Sequence, residues 1–142
     1  MKEFLWKVSG NKRYCNLMKV FSLICFLGAI ICVFFNLFVV STILYLLFFI
    51  LYNFATFLVS INLFSKVIYR KCSIKLVYLS NRKNLTRLVT TILLGTTMVS
   101  YYVFGFYYFI FMLVFTIFIS IFLYFVIAKN IEKRNLNKIN IK

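Results

Sequence analysis

The side chains that carry most acid–base and metal chemistry are almost missing from this chain. It has no histidine and no aspartate, and its two acidic residues are Glu3 and Glu132. General acid–base catalysis needs a positioned titratable pair, and metal-ion catalysis needs a set of ligands that two distant glutamates do not supply. Serine, tyrosine and cysteine remain as nucleophiles, but none has a base. The sequence therefore predicts no enzyme activity, no catalytic residue, no cofactor and no metal site.

The cysteines are the other residues with metal or redox chemistry. Cys25 and Cys32 share one face of an apolar segment, whereas Cys15 and Cys72 lie in basic segments. There is no Cys-x-x-Cys pair, and no histidine is present to complete a zinc site. We therefore interpret all four cysteines as small packing residues.

The elements around these residues follow from the charge pattern. All 17 Lys and Arg residues fall in three short stretches: near the N-terminus, between Lys66 and Arg87, and from Lys129 onward. No residue is charged from Val20 to Ser65 or from Leu88 to Ala128. A helix needs about 20 apolar residues to cross about 30 Å of hydrocarbon, so each uncharged segment is long enough for two crossings and a turn. The pattern predicts an all-α integral membrane protein with a four-transmembrane-helix bundle.

We predict a single membrane domain over residues 1–142, built from two helical hairpins. Its helices are expected at about 20–38, 43–64, 86–104 and 106–128, with a basic loop at 65–87. Short loops rich in Lys and Arg stay on the cytoplasmic side, so this loop and both termini are predicted to be cytoplasmic. We expect a multi-pass protein of the cell (plasma) membrane, and the same rule would hold in an endomembrane with the lumen as the outside.

Composition excludes other classes. The chain is 64% hydrophobic and 21% aromatic and contains no proline, which leaves too little polar surface for a soluble domain. A formal net charge of +15 would favour nucleic acid in a soluble protein. Here the charges flank apolar segments, where anionic headgroups attract each Lys or Arg by about 1 kcal/mol. Membrane lipids, and not nucleic acid, are the expected partners.

Small and polar residues recur on one face of the predicted helices. Helices in lipid associate through small residues and interhelical hydrogen bonds, so these positions should face inward. The residues assigned to this polar intramembrane face are Asn36, Asn53, Thr56, Ser60, Thr116 and Ser120. Two interpretations remain open: they hold the helices together, or they line a polar groove. The spans contain no titratable acid or histidine, which argues against a proton-coupled exporter.

The second and fourth predicted helices also resemble each other. Thr56 aligns with Thr116, and Ser60-Ile61 aligns with Ser120-Ile121. Each half then reads as a basic segment followed by two helices, which is typical of an internal repeat of parallel topology.

Two segments carry a resemblance to a known family. Ser60-Ile-Asn-Leu-Phe-Ser-Lys-Val-Ile-Tyr69 ends the second predicted helix, and Arg87-Leu-Val-Thr-Thr-Ile-Leu-Leu-Gly95 begins the third. With two hairpins, cytoplasmic termini and a basic central loop, they resemble the GtrA-like family of small four-helix membrane proteins, from roughly Met18 to Lys133. The chain departs from that family's pattern at Phe64, Ser65 and Val67.

The resemblance implies a role in translocating, as a flippase, or in using polyprenyl-phosphate-linked sugars during cell-envelope glycosylation and polysaccharide biosynthesis. Four basic residues at cytoplasmic helix ends would then bind the lipid phosphate of polyprenyl phosphate: Lys66, Arg70, Lys71 and Arg87. Lysine would act as a point charge and arginine as a bidentate donor. The polar face would let the sugar pass. Since four thin helices hardly enclose such a path, a homo-oligomer or a larger membrane complex is expected.

Two other functions remain open. The chain would suit a non-catalytic accessory subunit of a larger membrane enzyme or transporter, with the small-residue stripe of the first helix around Cys25 and Ala29 as its partner-binding face. It would also suit a holin-like self-assembling protein, because it is small and has a basic tail.

Overall fold

The computed structural model describes residues 1–140; Ile141 and Lys142, the last of the basic residues, lie outside the described residues. Within this range the chain is helical and contains no strand. Its helices are α1 (Lys2–Ser9), α2 (Lys12–Phe34), α3 (Phe38–Ile61), α4 (Lys66–Lys71), α5 (Ile74–Leu79), α6 (Arg82–Phe104), α7 (Phe106–Phe122) and α8 (Ala128–Asn140). A π-helical turn, Leu123–Ile127, joins α7 to α8.

Four helices are long and apolar enough to cross a membrane. They are α2, α3, α6 and the continuous helix Phe106–Asn140, which contains α7, the π turn and α8. A spanning helix satisfies its own backbone N–H and C=O groups, which hydrocarbon cannot do. The all-α, multi-pass membrane class predicted from the sequence is confirmed at this level.

The helix ends differ from the sequence-based bounds because polar caps, and not the nearest charges, set them. The side chain of Asn11 accepts a hydrogen bond from the Tyr14 backbone N–H, so α2 begins at Lys12 and not near residue 20. The side chain of Asn81 likewise accepts from the Lys83 N–H and starts α6. Such caps satisfy N–H groups that lack partners within the helix. The basic segment predicted as a loop contains α4 and α5.

The chain divides into two compact units, Met1–Ile74 and the remainder from Lys75. In the first unit α2 packs along α3. The buried residues of α2 recur every three or four positions and are Cys15, Met18, Ser22, Cys25, Ala29 and Val33. The aromatic rings of Phe26 and Phe48 meet across the two helices, with centroids 4.7 Å apart. The small-residue stripe of the first span is therefore covered by α3 within the same unit.

In the second unit α6 packs against α7 through paired hydroxyl groups. The Thr90 and Ser120 hydroxyl oxygens lie 2.8 Å apart, and those of Thr97 and Thr116 lie 3.3 Å apart. Because Ser120 donates to the Thr116 carbonyl in its own helix, Thr90 is the donor in the first pair. Thr116 and Ser120 thus lie between helices, as the helix-association interpretation requires.

The π turn keeps the face of α8 aligned with that of α7. Thr116, Ser120, Tyr124 and Glu132 are spaced by multiples of four residues, and each step of four exceeds one α-helical turn by about 40°. In a continuous α-helix this stripe would drift away from α6, whereas the wider π turn takes up the drift. As a result Arg82 of α6 contacts both Tyr124, 4.6 Å from its ring centroid, and Glu132, with Nε 3.7 Å from Oε2.

Two turns require unusual backbone conformations. Asn36, which the sequence assigned to the polar intramembrane face, lies in the turn between α2 and α3, is exposed, and has φ of 58°. Asparagine tolerates this left-handed conformation better than most residues, which explains its position outside the helix. Gly105, between α6 and α7, has φ of 88° and ψ of −171°, a region that is essentially restricted to glycine.

Substitution of Gly105 by alanine should destabilise the protein by about 1–3 kcal/mol through backbone strain alone. An added Cβ at Gly105 would meet no atom within 4 Å, so packing contributes nothing to this cost. Gly10→Ala is the matched control, since Gly10 has φ of −67° and its effect should stay below about 1 kcal/mol. Thermal unfolding in detergent micelles measures both. Equal stability of the two variants would contradict the strain argument.

Candidate functional site

The N-terminal helix α1 is attached to the end of α3 by a reciprocal side-chain contact. The Ser9 hydroxyl shares its proton between the Trp6 carbonyl, at 2.8 Å, and Asn62 Oδ1, at 3.0 Å. The Asn62 amide in turn donates to the Ser9 carbonyl. Leu5 and Ser9 are buried on the attached face. The sequence alone did not predict α1. This helix places the first residues of the chain against residues that follow the second span.

The other end of α1 contacts α4. Lys2 Nζ donates to the carbonyl oxygens of Cys72, at 2.6 Å, and Arg70, at 3.2 Å. Carbonyls at a helix C-terminus lack partners within the helix and attract cations, so Lys2 caps α4. Glu3 Oε1 accepts a hydrogen bond from the Arg70 guanidinium, and the Trp6 and Tyr69 rings lie 5.6 Å apart between centroids. Together these contacts hold α1 beside α4.

A pocket of about 320 Å³ opens between α1 and α4. We call it the basic pocket; it is lined by Lys2, Glu3, Trp6, Lys7, Lys66, Tyr69 and Arg70. Four of these side chains are cationic and one is anionic. Convergent positive charge of this kind attracts anions and strengthens their hydrogen bonds to lysine and arginine.

The structure brings together two of the four phosphate-binding residues expected from the sequence. Lys66 and Arg70 line the basic pocket, whereas Lys71, although next to Arg70, is exposed and does not line it. Arg87 lies in α6, in the second unit. The partners that sequence reasoning missed are Lys2 and Lys7. Their signal was the spacing of a short amphipathic helix, in which Lys2 lies four residues before Trp6, and Glu3 four residues before Lys7.

Tyr69 is the most deeply buried residue of the basic pocket, with 1% of its surface exposed. Burial raises the pKa of the Tyr69 hydroxyl, so it stays protonated at neutral pH. This hydroxyl has no hydrogen-bond partner among residues 1–140. Tyr69 therefore contributes an uncharged side chain to a pocket otherwise lined mainly by ionised groups.

The side chains of the predicted polar face of α3 donate hydrogen bonds to carbonyls of their own helix. Asn53 Nδ2 donates to the Phe49 carbonyl, and Thr56 Oγ1 to the Asn53 carbonyl, each at 2.9 Å. The Ser60 hydroxyl donates to the Thr56 carbonyl at 2.9 Å. Thr56 and Ser60 are buried, and each has a single proton, already used. This arrangement favours helix packing over a groove that offers donors to a passing sugar.

These features define a class: a multi-pass integral membrane protein whose first unit carries a basic pocket beyond the end of α3. No family model, no curated protein and no solved structure matches the chain. Its function is therefore inferred from the geometry of the pocket and the chemistry of its side chains.

Removal of the Asn62 side chain should loosen α1. Asn62→Ala deletes both contacts with Ser9, and each such hydrogen bond contributes about 0.5–1.5 kcal/mol. Trp6, the only tryptophan, should then become more exposed, with red-shifted emission and stronger quenching by acrylamide. Thr42→Ala is the control, because among residues 1–140 the Thr42 hydroxyl bonds only to the Phe38 carbonyl of its own helix. Unchanged Trp6 emission in Asn62→Ala would show that other contacts suffice to hold α1.

Proposed function

We propose that this protein binds a lipid phosphate in the basic pocket and thereby assists the translocation or use of polyprenyl-phosphate-linked sugars, as its resemblance to the GtrA-like family implies. The observation that carries the proposal is the convergence of Lys66 and Arg70 with Lys2 and Lys7 around one cavity. Arginine binds phosphate oxygens in bidentate fashion and lysine binds them as a point charge. The cavity also falls within the usual size range of small-molecule sites, about 300–1,000 Å³.

The surroundings of the pocket fit a ligand that is part lipid. Leu63 and Val67, on either side of Lys66 in the chain, are 70% and 63% exposed. The exposed faces of α2 and α3 are also apolar, for example at Leu17, Phe21 and Ile50. A phosphate in the basic pocket would leave an attached hydrocarbon chain beside these surfaces. Aromatic residues such as Trp6 and Tyr69 are typical of the level where headgroups meet hydrocarbon.

We further propose that each apolar helix pair is a hairpin crossing the plasma membrane twice, with the basic pocket and both termini on the cytoplasmic side. The support is the distribution of Lys and Arg, which are confined to the segments outside the uncharged stretches. A second copy or a larger membrane complex would complete the sugar path, because Thr56, Ser60, Thr116 and Ser120 already bond within their own helices.

The two alternatives make different demands. An accessory subunit would need another partner-binding face than the stripe around Cys25 and Ala29, since α3 covers that stripe. A holin-like protein would need a polar lumen formed between copies. Neither alternative function gives the basic pocket a role. We therefore favour lipid-phosphate binding.

The proposed orientation is tested with reporter fusions. Alkaline phosphatase folds into its active form only outside the cytoplasm, so fusions after Leu37 and after Gly105 should be active. Fusions after Ser80 and after Asn140 should be inactive, and a fluorescent protein at those two positions should be bright. Activity after Ser80 would reverse the proposed orientation, whereas activity at all four positions would contradict the hairpins.

Binding is tested with a pair of neighbouring substitutions. Arg70→Gln should weaken binding of undecaprenyl phosphate about tenfold or more, because a charge-assisted hydrogen bond to the phosphate is lost. Lys71→Gln removes the same charge from the next residue, outside the pocket, and should leave affinity within about twofold. Native mass spectrometry of the protein in detergent measures the bound lipid. Equal loss in both variants would indicate a general charge effect and not a site.

A further inference from the structure

We infer that Glu3 is a built-in competitor of the anionic ligand: its carboxylate pairs with the Arg70 guanidinium, and a phosphate group that enters the basic pocket displaces it. The inference rests on the proposed lipid-phosphate binding and names how that site is regulated. The shared chemistry of the ligand is a phosphate group, with a phosphomonoester at a lipid headgroup as the favoured source.

The contacts of Glu3 make it the competing group. Among the described residues, 1–140, Glu3 is the only acidic residue that lines the basic pocket, and it pairs with the only guanidinium there. Lys2 is engaged with the carbonyls of Arg70 and Cys72. The Lys7 and Lys66 side chains form no hydrogen bond or ion pair with any residue between 1 and 140. Two lysines are therefore available to an incoming anion, while the arginine must first exchange its carboxylate.

Exposure makes this exchange easy. The Glu3 and Arg70 side chains are 78% and 56% exposed, and an ion pair in such a solvated position holds its partners weakly. A phosphomonoester carries close to two negative charges and offers several acceptor oxygens. It can therefore contact Arg70 and the two lysines together, which one carboxylate cannot do. Glu3 keeps the pocket selective, since a free carboxylate gains little over the carboxylate that it must replace.

Glu3, the competing carboxylate, lies on α1, the helix that packs against α3 and α4. Glu3 belongs to the same short helix as Ser9, which is held by Asn62, and as Trp6, which packs on Tyr69. When the carboxylate is displaced, α1 keeps these other contacts. Ligand exchange therefore requires a side-chain movement of Glu3 and no release of the helix.

The experiment uses the full-length protein in neutral detergent micelles, with the emission of Trp6 as the reporter. The probes are dihexanoyl phosphatidic acid, inorganic phosphate and dihexanoyl phosphatidylcholine. Wild type should respond to phosphatidic acid, and Glu3→Gln should bind it about two- to fivefold more tightly, the range set by the weakness of an exposed ion pair. Glu132→Gln, which removes the other carboxylate, in the second unit, is the matched control and should match wild type.

A double-substitution cycle isolates the pair. In an Arg70→Gln background, Glu3→Gln should tighten binding less than it does in wild type, because the carboxylate has lost the partner through which it competes. An equal gain in both backgrounds would overturn the inference, since Glu3 would then act only as a distant negative charge. The emission of each variant before titration checks that α1 is still docked.

The remaining outcomes separate the inference from the proposed function. Unchanged affinity in Glu3→Gln, with weakened binding in Arg70→Gln, would overturn the competitor and leave the proposed function standing. No response of wild type to either phosphate probe would overturn both. Inorganic phosphate binding as tightly as phosphatidic acid, with the Glu3 effect intact, would support the competitor and overturn the lipid as the source. A response to phosphatidylcholine equal to that for phosphatidic acid would overturn recognition of a phosphomonoester.

Discussion

The rest of this structure depends on the need of every backbone N–H and C=O group in hydrocarbon for a partner within the protein. Helices meet that need along their length. At the N-termini of α2 and α6, the side chains of Asn11 and Asn81 cap the free backbone N–H groups. The polar side chains inside the spans obey the same constraint. Thr56 and Ser60 return their protons to carbonyls of α3, so the second span offers few unsatisfied groups to lipid. Hydroxyl pairs such as Thr90 and Ser120 then add specificity between α6 and α7 at small cost.

Charge is excluded from the same hydrocarbon, and this exclusion concentrates it in the segments outside the uncharged stretches. In the first unit the result is the basic pocket. Residues that precede the first span in the chain meet there with residues that follow the second span. Only one acidic residue, Glu3, offsets the four cations there, and it does so through an exposed contact with Arg70. A site of this composition attracts anions strongly and releases its own counter-charge readily. These properties support the proposed binding of a phosphate headgroup.

The limits of sequence reasoning are visible at particular residues. Thr116 and Ser120 were assigned to an inward polar face because four-residue spacing on an apolar helix has a simple geometric meaning. Asn36 was misplaced because the turn after α2 begins where left-handed backbone geometry is needed, and periodicity alone carries no such information. Lys71 was grouped with Arg70 because they are neighbours, yet successive residues on a helix point about 100° apart, and only Arg70 lines the pocket. The π turn has no signal in the residue spacing, because it corrects a drift that only appears once α8 packs on α6.

The membrane class of this protein and the contacts of its basic pocket therefore have different origins. The sequence by itself determined the all-α membrane class and the number of candidate spans, because both depend on local hydropathy and on the length of uncharged segments. It also confined the basic residues to the segments outside the two uncharged stretches. Only the tertiary structure decided that Lys2, Glu3, Trp6 and Lys7 meet Lys66 and Arg70, and that α3 covers the small-residue stripe of α2. The physical reason is that these contacts join residues far apart in the chain, held by specific hydrogen bonds such as that between Ser9 and Asn62, which no local pattern encodes.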